Sequence, residues 1–328
     1  MGWVATPELT AAASNAGAFG FLAAATLRPE EIDGAILKVK ALTERPFGVN
    51  FLMDAPGAER IADAIVRHGV RAAGYNRAPD AALIRKLKDA GVVCVPTIGA
   101  VKHALKAEQL GADAVIAQGG EGGGHTGTVP TSILVPEVAA AVRVPVIAAG
   151  GFKDGRGLVA ALAFGAAGIA MGTRFLLTRE SPVPEATARR YLDAAIDDVV
   201  VTREIDGLPQ RVVMNELVRH LTGLGPLRRT LFALRNALAF RAASGASLAE
   251  LVRSALALRR HERLTRSQLL MAANAPMLAR RAMQEGDPVG GYLPSGSIAG
   301  AIDDRPSCAE LVARMADEAE RTLKALGA

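Results

Sequence analysis

Four times along this chain an amphipathic stretch closes on a glycine and an apolar run follows at once: Gly69-Val70, Gly91-Val92, Gly111-Ala112 and Gly165-Ala166. Glycine just past a helix C-terminus adopts a left-handed conformation that other residues avoid, so each pair reads as a helix end followed by a strand. Gly69 to Gly91 and Gly91 to Gly111 are 22 and 20 residues apart, the length of one strand-helix unit. The apolar runs Phe19 to Ala23, Phe47 to Phe51, Val70 to Tyr75, Val92 to Ile98, Ala114 to Ala117, Pro145 to Ala148 and Gly168 to Met171 read as strands with helices between them. Such alternation calls for a parallel sheet, and this many units favour a (β/α)8 barrel of the TIM type, an α/β fold, over an open sheet.

A closed barrel has eight strands, and seven are found. Ala148-Ala-Gly-Gly-Phe152 and Met171-Gly-Thr-Arg-Phe175 look like the phosphate-binding loops after strands seven and eight. Counting back leaves the first strand missing, so the natural product is expected to begin about 20 residues upstream of Met1. A helix is expected from about Pro7 to Ala16, opened by its proline. Three parts follow: a barrel over residues 1–206, an arginine-rich helical subdomain over 207–285, and a C-terminal segment, 286–328, that returns to the barrel with a helix from about Ser307 to Leu326. Within the helical part, breaks are expected around Gly223 to Pro226, Ser244 to Ser247 and Asn274 to Pro276.

Composition narrows the function. With 50% hydrophobic and 22% charged residues the chain is an ordinary globular protein. No signal peptide is expected from its first residues, and no apolar stretch reaches membrane-spanning length uninterrupted. Its two cysteines, Cys94 and Cys308, have no metal-ligand spacing, so no metal is expected and a reducing cytoplasm fits. The net charge of +5 raises the question of nucleic acid, but aromatic content is 4% and no nucleic-acid motif occurs. Neither nucleic acid nor membrane is expected as a partner; a homodimer is compatible with the pattern. The positive charge is local: residues 215–285 carry 12 arginines and 4 acidic residues, a net +8, leaving −3 for the rest. Arg228, Arg229, Arg235, Arg241, Arg259, Arg260, Arg263 and Arg266 are candidates for holding a phosphate-rich ligand, and Arg228, Arg229, Arg235, Arg259 and Arg260 are singled out as substrate-binding. The alternative for any one of them is a solvated helix face.

The chemistry concentrates in Gln118-Gly-Gly-Glu-Gly-Gly-Gly-His-Thr-Gly127, which sets one histidine among six glycines after an apolar run. Glycine costs about 0.5–1 kcal/mol relative to alanine inside regular structure, so the tract implies backbone lying close to something else, a flat ligand being the natural candidate. Ala149-Gly150-Gly151 and Gly172-Thr173 offer backbone amides and a hydroxyl at strand ends, suited to a mononucleotide phosphate. Neither a dinucleotide fingerprint nor a Walker A sequence occurs. Glu121 reads either as a second acid or as a solvated carboxylate. His68, His103, His220 and His261 read as surface or packing residues, and Met271 and Met277 as core.

Gly119-Gly-Glu-Gly-Gly-Gly-His-Thr-Gly127, Ala148-Ala-Gly-Gly-Phe-Lys-Asp-Gly155, Ala170-Met-Gly-Thr-Arg-Phe175 and Pro46-Phe-Gly-Val-Asn50 together resemble the nitronate monooxygenase (2-nitropropane dioxygenase) family, which includes flavin-dependent enoyl reductases. The resemblance covers nearly the whole chain. It implies an FMN-binding barrel in which Asn50, Gln118, Ala149, Gly150, Gly151, Gly172 and Thr173 contact FMN, Gly123 and Gly124 admit the flavin, Met1 matches a flavin-side methionine and His125 faces the ring as the catalytic acid/base. Two positions depart from the family pattern: Thr97 stands where related quinone reductases have lysine, and Ser297 replaces a glutamine. Both argue against a simple nitronate or quinone activity. The glycine loop, the arginine-rich part and Leu269-Leu-Met-Ala-Ala-Asn-Ala-Pro-Met277 are most similar to a steroid-degradation branch that oxidises a hydroxylated bicyclic acyl-CoA. The resemblance thus implies an oxidoreductase acting on a CoA thioester, with NAD or O2 as electron acceptor. The alternatives are a nitronate monooxygenase using O2, a flavin-dependent enoyl reductase and, last, a non-enzymatic acyl-CoA-binding barrel.

Overall fold

The computed structural model describes residues 1–28, 30–55, 57–76, 79–223 and 266–327. From the N-terminus the chain forms α1 (Pro7–Asn15), β1 (Phe21–Ala23), α2 (Ile32–Leu42), β2 (Gly48–Leu52), α3 (Ala58–Arg67), β3 (Ala72–Asn76), α4 (Ala81–Asp89), β4 (Val93–Ile98), α5 (Val101–Gln109) and β5 (Val115–Gln118). Next come β6 (Gly124–His125), α6 (Thr131–Ala141), β7 (Val146–Ala149), α7 (Gly155–Ala163), β8 (Gly168–Ala170) and α8 (Thr173–Leu176). The remainder holds α9 (Glu185–Leu192), β9 (Val199–Thr202), β10 (Gln210–Val213), α10 (Glu216–Gly223), α11 (Arg266–Met283), β11 (Leu293–Pro294) and α12 (Cys308–Leu326). Two compact units result: residues 1–122, 126–182 and 302–328 form one, and 123–125 with 183–301 the other.

In the first unit seven strands form one parallel sheet in the order β1-β2-β3-β4-β5-β7-β8, with helices between them. All seven fall within two or three residues of the apolar runs in the sequence. For four of them the helix-ending glycines explain why. Gly69, Gly91, Gly111 and Gly165 have φ of +58°, +74°, +93° and +86°. The residue after each donates its N–H to a carbonyl five positions back, Val70 to Ile65, Val92 to Leu87, Ala112 to Ala107 and Ala166 to Ala161, each at 3.0 Å. These are the bonds of a Schellman motif, which satisfies the last helical carbonyls and turns the chain into the next strand.

The strands' alternation gives the sheet two unlike faces. On the outer face Val49, Phe51, Ala73, Cys94, Val115, Ala117 and Ala148 are wholly buried among the helices. The inner face is more open. The register aligns Asn50 with Gly74, Leu52 with Asn76, Thr97 with Ile116 and Gln118 with Ala149, and period two along each strand puts Asn50, Asn76, Thr97 and Gln118 on this face. All four are half-buried and sit at or near the C-terminal ends of their strands. Deeper in, the Phe21 ring fills the space that a side chain at Gly48 or Gly74 would need. The C-terminal helix α12 closes this unit against α7: Gly155 leaves room for the α12 backbone and donates its N–H to Glu318 at 2.9 Å. A capping box of Ser307 and Glu310 starts α12.

The second unit carries a small sheet in which β10 pairs antiparallel with β9 on one edge and with β6 and β11 on the other. The stretch Val199 to Glu204 reads as a short strand, and β9 lies within it, whereas β6, β10 and β11 were not expected. The expected break at Asn274 to Pro276 does not occur, because α11 runs through Pro276. Ala275, Leu278, Ala279, Ala282 and Met283 are buried along it, and this packed apolar face outweighs the backbone bond that proline forfeits. The expected breaks near Gly223 to Pro226 and Ser244 to Ser247 fall largely or wholly outside the described residues.

Gly91 and Gly34 give a paired test of this reading. A Cβ at either position meets nothing within 4 Å, but Gly91 has φ of +74° whereas Gly34 lies inside α2. Gly91→Ala should lower the unfolding free energy by about 1–2 kcal/mol. Gly34→Ala should raise it by about 0.5–1 kcal/mol, both read from urea denaturation midpoints.

Candidate active site

The glycine loop begins where β5 ends. Gly119 donates to the Ala149 carbonyl at 3.0 Å, which ties the loop to the end of β7, and Gly122 turns back to the Gly119 carbonyl at 3.0 Å. Thr131, the first residue of α6, organises the junction. Its N–H and Oγ1 lie 2.8 and 2.7 Å from Glu121 Oε2, and Oγ1 is also 3.1 Å from the Gly150 carbonyl. A carboxylate accepting from the first turn of a helix satisfies an otherwise orphaned donor and meets the positive end of the helix dipole. Glu121 is therefore engaged as a helix cap and is not a freely solvated group.

This junction explains the glycines. A Cβ at Gly119 would run into Thr131, one at Gly122 would lie 2.6–2.7 Å from the Gln118 side chain, and one at Gly150 would lie 3.0 Å from both Gly122 N and Thr131 Oγ1. Gly150 and Gly151 also have φ of +101° and +83°. Met1 Sδ lies 3.2 Å from where a Gly172 side chain would begin, so Met1 covers the end of β8. Thr173 is buried as the first residue of α8. The next residue, Arg174, is buried too and holds the C-terminal segment, bonding Asp304 Oδ1 at 2.7 Å and the Leu177 and Asp304 carbonyls at 2.9 and 2.8 Å.

Among the described residues, two side-chain polar atoms at the end of β3 are left unsatisfied, the Tyr75 hydroxyl on the outer face and Asn76 Oδ1 on the inner one. Asn76 Oδ1 is buried with no hydrogen-bond partner. A buried acceptor without a donor costs about 1–3 kcal/mol, so it marks a place where a ligand N–H would be welcome. Oxidised isoalloxazine has one such donor, its ring imide N–H. The inner-face row Asn50, Asn76, Thr97 and Gln118 therefore has the donors and acceptors that a flavin edge requires, and the side-chain-free backbone at Gly150, Gly151 and Gly172 suits a phosphate approaching the chain.

The remaining predicted residues lie in the second unit. Gly124, with φ of +70°, and His125 form β6, pairing with Arg211 and Gln210. His125 Nε2 is 2.7 Å from Asp206 Oδ2, and the two side chains differ sharply in exposure, 55% against 7%. Asp206 Oδ2 also accepts from Gln210 Nε2, and Oδ1 accepts from the Leu208 N–H at 3.0 Å. The Tyr292 hydroxyl bonds to Gln210, and burial holds its ionisation well above the usual tyrosine range. Asp206 and Gln210 were not found from sequence. The available signal was Asp206-Gly207, a turn pair between β9 and β10, with Gly207 at φ of +87°.

Other residues stand apart. His68, just past the end of α3, bonds through Nε2 to Asp33 of α2 at 2.6 Å, a structural contact. Cys94 and Cys308 are both free and buried, and burial pushes each thiol up to about 11. Arg228, Arg229, Arg235, Arg241, Arg259, Arg260 and Arg263 lie outside the described residues, and the Arg266 side chain is not described. Among the described residues there is no group of three or more potential metal ligands, and no helix is long and apolar enough to cross a membrane.

The nitronate monooxygenase family model matches residues 1–76 and 58–318. The chain belongs to the nitronate monooxygenase family. It is an oxidoreductase. Two curated relatives, from Rhodococcus jostii strain RHA1 and Mycobacterium tuberculosis strain H37Rv, are each named (3aS,4S,5R,7aS)-5-hydroxy-7a-methyl-1-oxo-octahydro-1H-indene-4-carboxyl-CoA dehydrogenase. The first is 50% identical over 328 residues, covering all of this chain and 93% of the relative; the second is 52% identical over 315 residues, covering 95% and 89%. Among solved structures, FabK from Thermotoga maritima superposes with a TM-score of 0.79 at 31% identity, covering 99% of this chain and 92% of its own. The barrel class expected from the strand pattern is thus that of this solved neighbour.

Glu121 separates capping from catalysis. Glu121→Ala should cost about 1 kcal/mol of stability in chemical denaturation, and Glu121→Gln, which keeps an acceptor, should recover most of it. A general acid would instead show its loss in turnover with stability unchanged.

Proposed function

We propose that this chain is an FMN-dependent dehydrogenase of a hydroxylated acyl-CoA thioester, with His125 as acid/base. The observation that carries this reading is the 50% identity, across every residue of the chain, to a relative named as a hydroxy-indane carboxyl-CoA dehydrogenase. The local charge agrees with it. A net +8 over residues 215–285 suits the phosphates of coenzyme A, whereas a small nitronate requires no such surplus.

Asn50, Asn76 and Gln118 would hold the flavin ring, with Met1 beside it, and Ala149, Gly150, Gly151, Gly172 and Thr173 would hold the ribityl phosphate. When bound, FMN supplies a two-electron acceptor for the hydride that leaves the hydroxyl-bearing carbon. His125 takes the proton of the substrate hydroxyl as that C–H bond breaks and the carbonyl forms. Its place three residues after Gly122, on the chain that leaves β5, puts it next in sequence to the flavin-bearing loop. A histidine is suited to this role because its ordinary pKa is near 6.5. NAD+ is the acceptor that reoxidises the enzyme in this reading. The family model's name favours a second reading, an alkyl nitronate as substrate and O2 as acceptor, which leaves the local positive charge without a role.

Anaerobic mixing of the FMN-loaded protein with the relatives' named hydroxyacyl-CoA should bleach the flavin absorbance within a single turnover, and NAD+ should restore it. His125→Ala should slow the bleaching about 10²–10⁴-fold. Bleaching by an alkyl nitronate and not by the acyl-CoA would overturn the reading in favour of the second. Asn76→Ala should weaken FMN binding about 5- to 30-fold, the loss of one buried hydrogen bond, in an equilibrium fluorescence titration.

A further inference from the structure

The contact between His125 and Asp206 fixes more than the position of the imidazole. Carboxylate oxygens accept and do not donate, so the 2.7 Å approach of Nε2 to Asp206 Oδ2 requires the proton to be on Nε2. The carboxylate is itself held. Oδ1 accepts from the Leu208 N–H at 3.0 Å, Oδ2 accepts from Gln210, and Gln210 is 2% exposed with its amide bonded to the buried Tyr292. Gln210 Nε2 lies 3.4 Å from His125 Nε2, so two nitrogen donors share one acceptor oxygen. Backbone pairing sets the same alignment, because His125 stands opposite Gln210 in the β6–β10 ladder. A buried anion bonded at both oxygens beneath a largely exposed imidazole is the arrangement by which a protein selects one histidine tautomer and steadies the imidazolium once it forms.

We infer that Asp206 is a positioning residue that holds His125 as the Nε2–H tautomer and steadies its imidazolium, with Gln210 fixing Asp206. The inference rests on His125 being the acid/base. The proton passes from the substrate oxygen to the imidazole, the imidazolium so formed pairs with Asp206, and the electron pair leaves the carbon with the hydride to FMN.

The direct test is the ring ¹⁵N spectrum of histidine-labelled, FMN-loaded enzyme at a pH where the imidazole is neutral, the His125 signals being assigned with His125→Gln. The wild type should show Nε2–H. Asp206→Asn should raise the Nδ1–H form several-fold and slow flavin reduction at saturating acyl-CoA about 10²–10⁴-fold. FMN affinity should stay within twofold, and Asp206→Glu should recover part of the rate. A wild-type enzyme already in the Nδ1–H form, or an Asp206→Asn variant with tautomer and rate unchanged, overturns the inference. A shifted tautomer with an unchanged rate overturns the acid/base reading of His125 and leaves the anchoring by Asp206 standing.

Discussion

Thr131 is where the first unit's active end is joined. Its backbone N–H and hydroxyl reach Glu121, and the same hydroxyl faces the Gly150 carbonyl, so the start of α6, the glycine loop after β5 and the turn after β7 meet at one side chain. Closeness is the constraint. Gly119, Gly122 and Gly150 are glycines because any Cβ there would meet Thr131, Gln118 or the loop backbone. A loop assembled this way has little freedom left, and the strand ends that it joins carry the groups suited to a flavin.

How much of this was readable depends on how far each interaction reaches along the chain. The seven parallel strands came from local signals: for four of them a helix end, a left-handed glycine and an apolar run lie within one stretch of about ten residues, and for the rest the apolar run alone sufficed. The glycine tract also announced close backbone approach, although not what approached it. Glu121 shows the limit: its partner is ten residues on, in the first turn of α6, and composition alone left it undecided between an acid and a solvated group. Asp206 lies further still, 81 residues from the histidine it touches. Nothing local to either residue encodes that pairing, which exists because β6 adds two residues to the edge of the β9–β10 hairpin. Pro276 misled for the opposite reason, a strong local breaker overruled by the buried face of α11.

The division of labour follows the division of the chain. The first unit offers a polar inner row and a side-chain-free backbone, chemistry suited to holding a cofactor. The second offers a histidine and a buried carboxylate, chemistry suited to moving a proton. Their shared element is the loop itself, whose residues 119–122 belong to one unit and 123–125 to the other. Nitronate oxidation and acyl-CoA dehydrogenation both fit that division, and the distinction between them lies in what recognises the rest of the substrate, for which the arginine-rich stretch and the 50% identity to a carboxyl-CoA dehydrogenase point one way.

The claim that the glycine-framed barrel end exists to hold a flavin is tested most directly by equilibrium titration of FMN into the wild type and Gly150→Ala, with circular dichroism confirming that both are folded. A Cβ at residue 150 would press on Gly122 N and Thr131 Oγ1 at 3.0 Å and meet a φ of +101°. The wild type should bind one FMN per chain, with the structured flavin absorbance of an ordered site, and Gly150→Ala should bind it at least about tenfold more weakly, equivalent to about 1.4 kcal/mol. Equal FMN affinity in the two proteins, or no binding by a folded wild type, would contradict the account.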